Sequence, residues 1–70
     1  MAEEFNLTLG EKIHAIRRAR GITQVELAKK VGIQPYQISA YESGKNLPSL
    51  TTFEWICKAL GITASELLGF

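Results

Sequence analysis

The sequence predicts an all-α fold, a compact bundle of five helices, and three observations carry that reading. Apolar residues recur at i, i+3 and i+4 spacing along most of the chain. Three Thr-x-x-Glu boxes, Thr8–Glu11, Thr23–Glu26 and Thr63–Glu66, place a hydroxyl where a helix can begin and a carboxyl three residues on. Glycines close the apolar stretches at positions 21, 32, 44 and 61, where helices end.

Residues 1–7 read as a flexible N-terminal tail and 8–70 as one domain. The first helix is expected from Leu9 to Arg20, opened by the Thr8 box, with Ile13 and Ile16 inward and basic residues in the last turn, where the helix dipole favours them. The second should cover Gln24 to Val31, opened by Thr23, with Leu27, Ala28 and Val31 inward; Gly32 ends it in a left-handed conformation. The third should begin at Pro35, because proline suits a first turn whose N–H groups have no helical partner. Gln34 is its weak cap, Ile38 and Tyr41 point inward, and Ser43-Gly44 terminates it. A loop follows, with Leu47 expected to anchor it in the core. Ser49 caps the fourth helix, whose stripe is Leu50, Phe53, Ile56, Cys57 and Leu60. Thr63 opens a short fifth helix through Leu67 and Leu68.

Seventy residues, 46% of them hydrophobic, suffice for one small core and no more. One cysteine, Cys57, excludes an intrachain disulfide and a multi-cysteine zinc site, and with a single histidine, His14, no protein-only metal centre is expected. These counts fit a reducing, cytoplasmic setting. Cys57 reads as a small buried hydrophobe and His14 as an exposed helix residue. No apolar run is long enough to span a membrane, and the acidic start is wrong for a signal peptide. A lone histidine assembles no nucleophile–base–acid set, and so small a bundle offers no water-excluding cleft, so no catalysis is expected. No cofactor or small-molecule ligand can be placed.

Net charge is only +1, but its distribution is uneven. Between Lys12 and Lys45 lie seven Lys/Arg and two acids, a local excess of five positive charges. Such a zone suits a polyanion; the same charges also serve as ordinary solvated helix faces. Gly32-Ile33-Gln34 forces the second and third helices to cross steeply, with Ile33 plugging the corner. Beyond it, Tyr36, Gln37, Ser39 and Ala40 form an outer face that is polar, small and uncharged. Such a helix fits a B-DNA major groove about 12 Å wide.

The stretches LGEKIHAIRRARGITQVELAKKVGI, ISAYESGKNLPSL and ALGITASELL stand in order from Leu9 to Leu68. Together they resemble the helix-turn-helix domain of the phage repressor and Cro type, the XRE-like family. The resemblance implies a lambda-repressor-like fold and sequence-specific binding of double-stranded DNA. It implies that Gln24, at the start of the second helix, meets a phosphate, together with Gln37, Lys45 and Asn46. It implies that Gln34, Pro35, Tyr36, Ser39 and Ala40 face base edges, and that Arg17 and Glu42 form a structural ion pair. The chain departs from the family pattern at Gln34-Pro35-Tyr36. Pro35 donates no hydrogen bond, while Ala40 and Tyr36 offer surfaces suited to a thymine methyl, so more shape-based readout is expected. Tyr36 has a second reading, as a partly buried aromatic closing the corner.

Trp55 lies off the apolar stripe of its helix. With Leu68 and Phe70 it reads as a dimer interface, or else as a cover over the edge of a small core. The function expected is that of a transcriptional regulator, most simply a repressor, acting as a homodimer on a palindromic operator. The alternatives are a protein–protein interaction module and the DNA-binding fragment of a longer regulator.

Overall fold

Five helices make up the described chain, in the order α1 (Ala2–Ala19), α2 (Gln24–Val31), α3 (Pro35–Glu42), α4 (Leu50–Leu60) and α5 (Ala64–Leu68). The computed structural model describes the backbone of residues 2–68 and the side chains from Leu9 to Leu68. Among these residues there is no strand.

α2 and α3 start and stop where the sequence places them. The Thr23 hydroxyl accepts the Glu26 N–H at 3.0 Å while the Glu26 carboxylate accepts the Thr23 N–H at 3.0 Å, a reciprocal box. Gly32 turns the chain with φ +88°, and its N–H and that of Ile33 both reach the Ala28 carbonyl, at 2.8 and 3.0 Å. Ser49 caps α4 through the Thr52 N–H, and Thr63 forms the same reciprocal box with Glu66 ahead of α5.

α1 departs from expectation. It begins at Ala2, so residues 2–8 are helical where a flexible tail over 1–7 was expected, and Thr8 lies inside the helix instead of capping it. A cap needs extended backbone, which a residue seven positions into a helix does not have. Ala2, Glu3 and Glu4 are strong helix formers, and they carry the helix upstream of the box.

Every helix sends at least one fully buried side chain to the centre: Ile13, Leu27, Ile38, Ile56 with Leu60, and Leu67. Spacing of three or four residues within each helix gathers these apolar groups on one side, and their removal from water is the main force holding so short a chain together. Leu50 and Leu47 were expected in this core and are not: Leu50 is 74% exposed and Leu47 is exposed too. Leu50 is the first residue of α4, and the core ends at Phe53, one turn further on. Instead Leu47, Pro48 and Leu50 wall a concavity of about 260 Å³ with Leu9, Phe53 and Leu68.

Candidate nucleic-acid interface

α3 and the loop after it build one continuous surface. Pro35 takes the first helical position behind the extended Gln34 (φ −85°, ψ 149°), and the Gln37 side chain accepts the Gln34 N–H at 2.9 Å. The amide oxygen expected to face phosphate therefore caps the helix start. Ile33 is partly buried against the core, which sets the α2–α3 corner from inside. Tyr36 is 72% exposed, so it does not close that corner.

At the other end of α3 the Ala40 carbonyl accepts the N–H of Lys45 at 2.9 Å, that of Asn46 at 3.3 Å and the Ser43 hydroxyl at 3.2 Å. These bonds fold the loop onto the helix. They bring Tyr36, Ser39, Ala40, Ser43, Lys45 and Asn46 round one open concavity of about 430 Å³. Three residues expected at base edges and two expected at phosphate thus share one wall. Gln34 and Pro35 are not among the residues that line it.

Behind this surface lies a polar cluster centred on Glu42. Its carboxylate, like the Arg17 side chain, is almost completely buried, at 6% and 7% exposure. Arg17 donates from Nε to Oε2 at 2.6 Å and from Nη2 to Oε1 at 3.1 Å, and its Nη1 reaches the Ile22 carbonyl at 2.8 Å. The guanidinium fork thereby ties α1 to α3 and to the turn before α2. Gln24 also enters the cluster, donating from Nε2 to Oε1 at 3.1 Å. An amide expected on a DNA phosphate is held here by a carboxylate. His14 Nδ1 lies 2.9 Å from the same oxygen and 3.2 Å from Arg17 Nη2. The sequence reading missed His14; the clue was its position three residues before Arg17, on the same side of α1.

Burial by itself would push the Glu42 carboxyl up. The hydrogen bonds from Arg17, His14 and Gln24 outweigh it and hold the group below its usual range. Glu26 is also held low, chiefly by the Thr23 N–H. Both groups bind protons more weakly folded than unfolded. Their contribution to stability is therefore complete above the ordinary carboxylate range and is lost as pH falls through the depressed folded values. Thermal unfolding followed by circular dichroism should show stability falling steeply below about pH 4. Glu42→Gln should start from lower stability and lose less of it over the same range.

A second concavity, of about 410 Å³, opens at the start of α2, where Arg18, Thr23 and Gln24 meet the turn after α1. Trp55 is half exposed, with Lys58 Nζ 5.0 Å from its ring centroid. Leu68 lines the separate apolar concavity with Leu47 and Leu50, of which Trp55 is no part, and Phe70 lies outside the described residues. Among the described residues no group of His, Cys, Asp or Glu side chains could hold a metal ion, and no helix is long and apolar enough to cross a membrane.

Two short helices, α2 and α3, joined through the left-handed Gly32 and followed by the Lys45–Asn46 loop, form a helix-turn-helix arrangement, and the HTH_3 family model, described as Helix-turn-helix, matches residues 13–67. The chain belongs to this family. It is a DNA-binding helix-turn-helix domain of transcriptional regulators, and the family is non-catalytic. It is 40% identical over 63 residues to the immunity repressor protein of Bacillus phage phi105, covering 90% of this chain and 44% of the repressor. It is 35% identical over 65 residues to the HTH-type transcriptional activator BcrR of Enterococcus faecalis, covering 93% of this chain and 30% of the activator. The chain thus spans less than half the length of these relatives. Among solved structures, the restriction-modification controller protein C.AhdI from Aeromonas hydrophila superposes with a TM-score of 0.85 at 28% identity, over 87% of this chain and 92% of that one. The P22 c2 repressor protein, in complex with a synthetic operator, gives 0.81 at 33% identity, over 86% and 91% of the two chains. The fold is all-α with five helices, of the lambda and Cro repressor type.

Proposed function

We propose that this domain reads double-stranded DNA in a sequence-specific way and acts as a homodimeric repressor on a palindromic operator in the cytoplasm. The observation that carries the reading is the shared wall of Tyr36, Ser39, Ala40, Lys45 and Asn46, an uncharged helix face flanked by loop donors. Tyr36 and Ala40 face bases in this scheme and favour thymine methyl groups, while Lys45 and Asn46 meet the phosphates that set register. Gln34 and Pro35 approach the groove from the N-terminal end of α3. With Pro35 lacking an N–H and the Gln37 amide oxygen engaged in the cap, few bidentate base contacts remain, and DNA shape carries more of the specificity. Gln24 reaches phosphate by leaving Glu42.

Repression is supported by the likeness to the phage phi105 repressor, and dimerisation by area. One such module covers too little DNA for tight binding, whereas two related by a two-fold axis read half-sites about 34–36 Å apart. Trp55, Leu68 and Phe70 are the residues we assign to the contact between copies.

Selection from a randomised duplex pool at about 100 mM salt tests the reading. The expected product is a palindrome with half-site centres about 10–11 bp apart. Tyr36→Ala should lose preference at one base position per half-site, and Gln24→Ala should weaken binding to all sequences alike. A folded chain that enriches nothing would overturn the standalone regulator and favour either the DNA-binding fragment of a longer regulator or a protein-binding module.

A further inference from the structure

We infer that Gln37 is a specificity-determining residue that favours guanine, because the cap of α3 takes its amide oxygen and leaves its NH2 group for the groove. The inference rests on the DNA-binding reading above and adds a base to it. A glutamine amide carries an acceptor oxygen at one end and a nitrogen with two donor protons at the other. An unengaged amide turns either end outward. The Gln37 amide is engaged: its Oε1 accepts the Gln34 N–H at 2.9 Å. Of the two ends only the oxygen accepts from an N–H, so this bond fixes which end points away from the helix start. It is the one hydrogen bond of the Gln37 side chain among the described residues, and both protons on Nε2 are left for a partner outside the chain. Gln24 is set the other way round, with Nε2 given to Glu42 Oε1.

Position brings the Gln37 donor to the bases. Gln37 stands three residues before Ala40, on the same side of α3. Ala40 and Tyr36 line the wall assigned to the groove, and Ala40 carries only a methyl group, so it does not reach past Gln37. In the major groove guanine offers two acceptors, O6 and N7, whereas adenine sets the donor N6 beside its acceptor N7. The usual match of glutamine to adenine needs the amide oxygen to accept from N6. Here that oxygen must first release the Gln34 N–H, and with the cap kept, donor faces donor. Guanine is met with the cap intact. Cytosine offers only the donor N4, and thymine a single acceptor, O4. A phosphate also only accepts, which makes it the rival partner. The base is favoured because Gln37 is uncharged and flanked by Tyr36 and Ala40, while Lys45 supplies this surface with a cation for phosphate.

The test uses the full chain and Gln37→Glu. Glutamate keeps an oxygen for the Gln34 N–H, in a place where the helix dipole favours an anion, but has no donor at about pH 7. Its thermal unfolding by circular dichroism should therefore match the wild type or lie above it. Fluorescence anisotropy at constant ionic strength then compares the two chains on the selected duplex and on duplexes with each base pair of a half-site changed in turn. The wild type should lose roughly fivefold in affinity when one particular guanine becomes adenine, the scale of one hydrogen bond. Replacing that guanine by its 7-deaza analogue, which lacks N7, should also weaken wild-type binding. Gln37→Glu should bind every duplex more weakly, because of its charge, and should lose the preference at that one position; the two changes are then non-additive. A Gln37→Glu chain that keeps every base preference of the wild type would overturn the inference. So would a wild type that ignores the 7-deaza base and responds instead to a neutral methylphosphonate beside it, the result of a phosphate contact, or a Gln37-dependent preference for adenine. A wild-type chain that binds no duplex sinks the DNA reading and the inference with it, whereas specific binding with no Gln37-dependent guanine overturns the inference alone.

Discussion

Glu42→Ala is expected to cost the domain about 3–5 kcal/mol, the loss that follows when one partner of a buried ion pair is removed. The reason lies in what remains. Arg17 stays almost completely buried, and its Nε and Nη2 lose the carboxylate they bond. A guanidinium does not give up its proton, so the charge must be hydrated by opening the α1–α3 contact. In a chain of 70 residues a single core rarely supplies more than about 3–5 kcal/mol, so a large share of the chain should be unfolded at physiological temperature. Urea denaturation at about pH 7, followed by circular dichroism, checks it. Replacing both partners, Arg17→Met with Glu42→Leu, should cost less than Glu42→Ala alone, because apolar groups of similar volume need no counter-charge. A loss below about 1 kcal/mol in the single variant would mean that the pair behaves as a solvated surface bridge. The defect is one of folding, and this substitution is therefore a poor probe of DNA contact.

Legibility in the sequence follows how local each cause is. α2 and α3 are set by the Thr23 box, Gly32 and Pro35, all within a few residues of the boundaries they define, and the structure places those boundaries to the residue. The Thr8 box misled because the same spacing also occurs inside a helix, where the backbone around it is not extended. Leu50 misled for another reason. Its period matches Phe53, but burial depends on where neighbouring helices end, and the core stops one turn short of it. The outer face of α3 was readable because a 3.6-residue period fixes which of its side chains share a side. The Glu42 cluster was only half readable. The Arg17 pair came from family resemblance, whereas Gln24 and His14 converge on Oε1 only once three helices have crossed. Gly10 escaped notice altogether, since nothing near it in the chain calls for glycine.

Gly10→Ala is expected to be the most damaging single-methyl change in α1. A Cβ at position 10 would lie 2.3 Å from the Tyr41 carbonyl oxygen and 2.6 Å from that of Glu42. Both are backbone atoms at the end of α3, so no side chain can swing aside and one helix must move. In an unobstructed helix alanine would gain roughly 1 kcal/mol over glycine; here overpacking reverses the sign and should give a net loss of about 3 kcal/mol, the upper end of its usual range. Gly32→Ala is the useful contrast. It has a strained backbone, φ +88°, but nothing within 4 Å of the added carbon, and should cost about 1–2 kcal/mol. Thermal and urea unfolding of the two variants rank them, and the reverse order would mean that α1 and α3 can separate freely. The consequence for DNA follows from spacing. Gly10, His14 and Arg17 stand at i, i+4 and i+7, one stripe of α1 turned toward the end of α3. A helix pushed off at Gly10 carries His14 and Arg17 away from Glu42. It also shifts the segment whose Ala40 carbonyl holds Lys45 and Asn46 in the α3 wall. Any folded fraction of Gly10→Ala should therefore bind the selected duplex more weakly than the folded fraction of Gly32→Ala, because the first drives α1 against backbone atoms at the end of α3, whereas the carbon added by the second meets nothing within 4 Å.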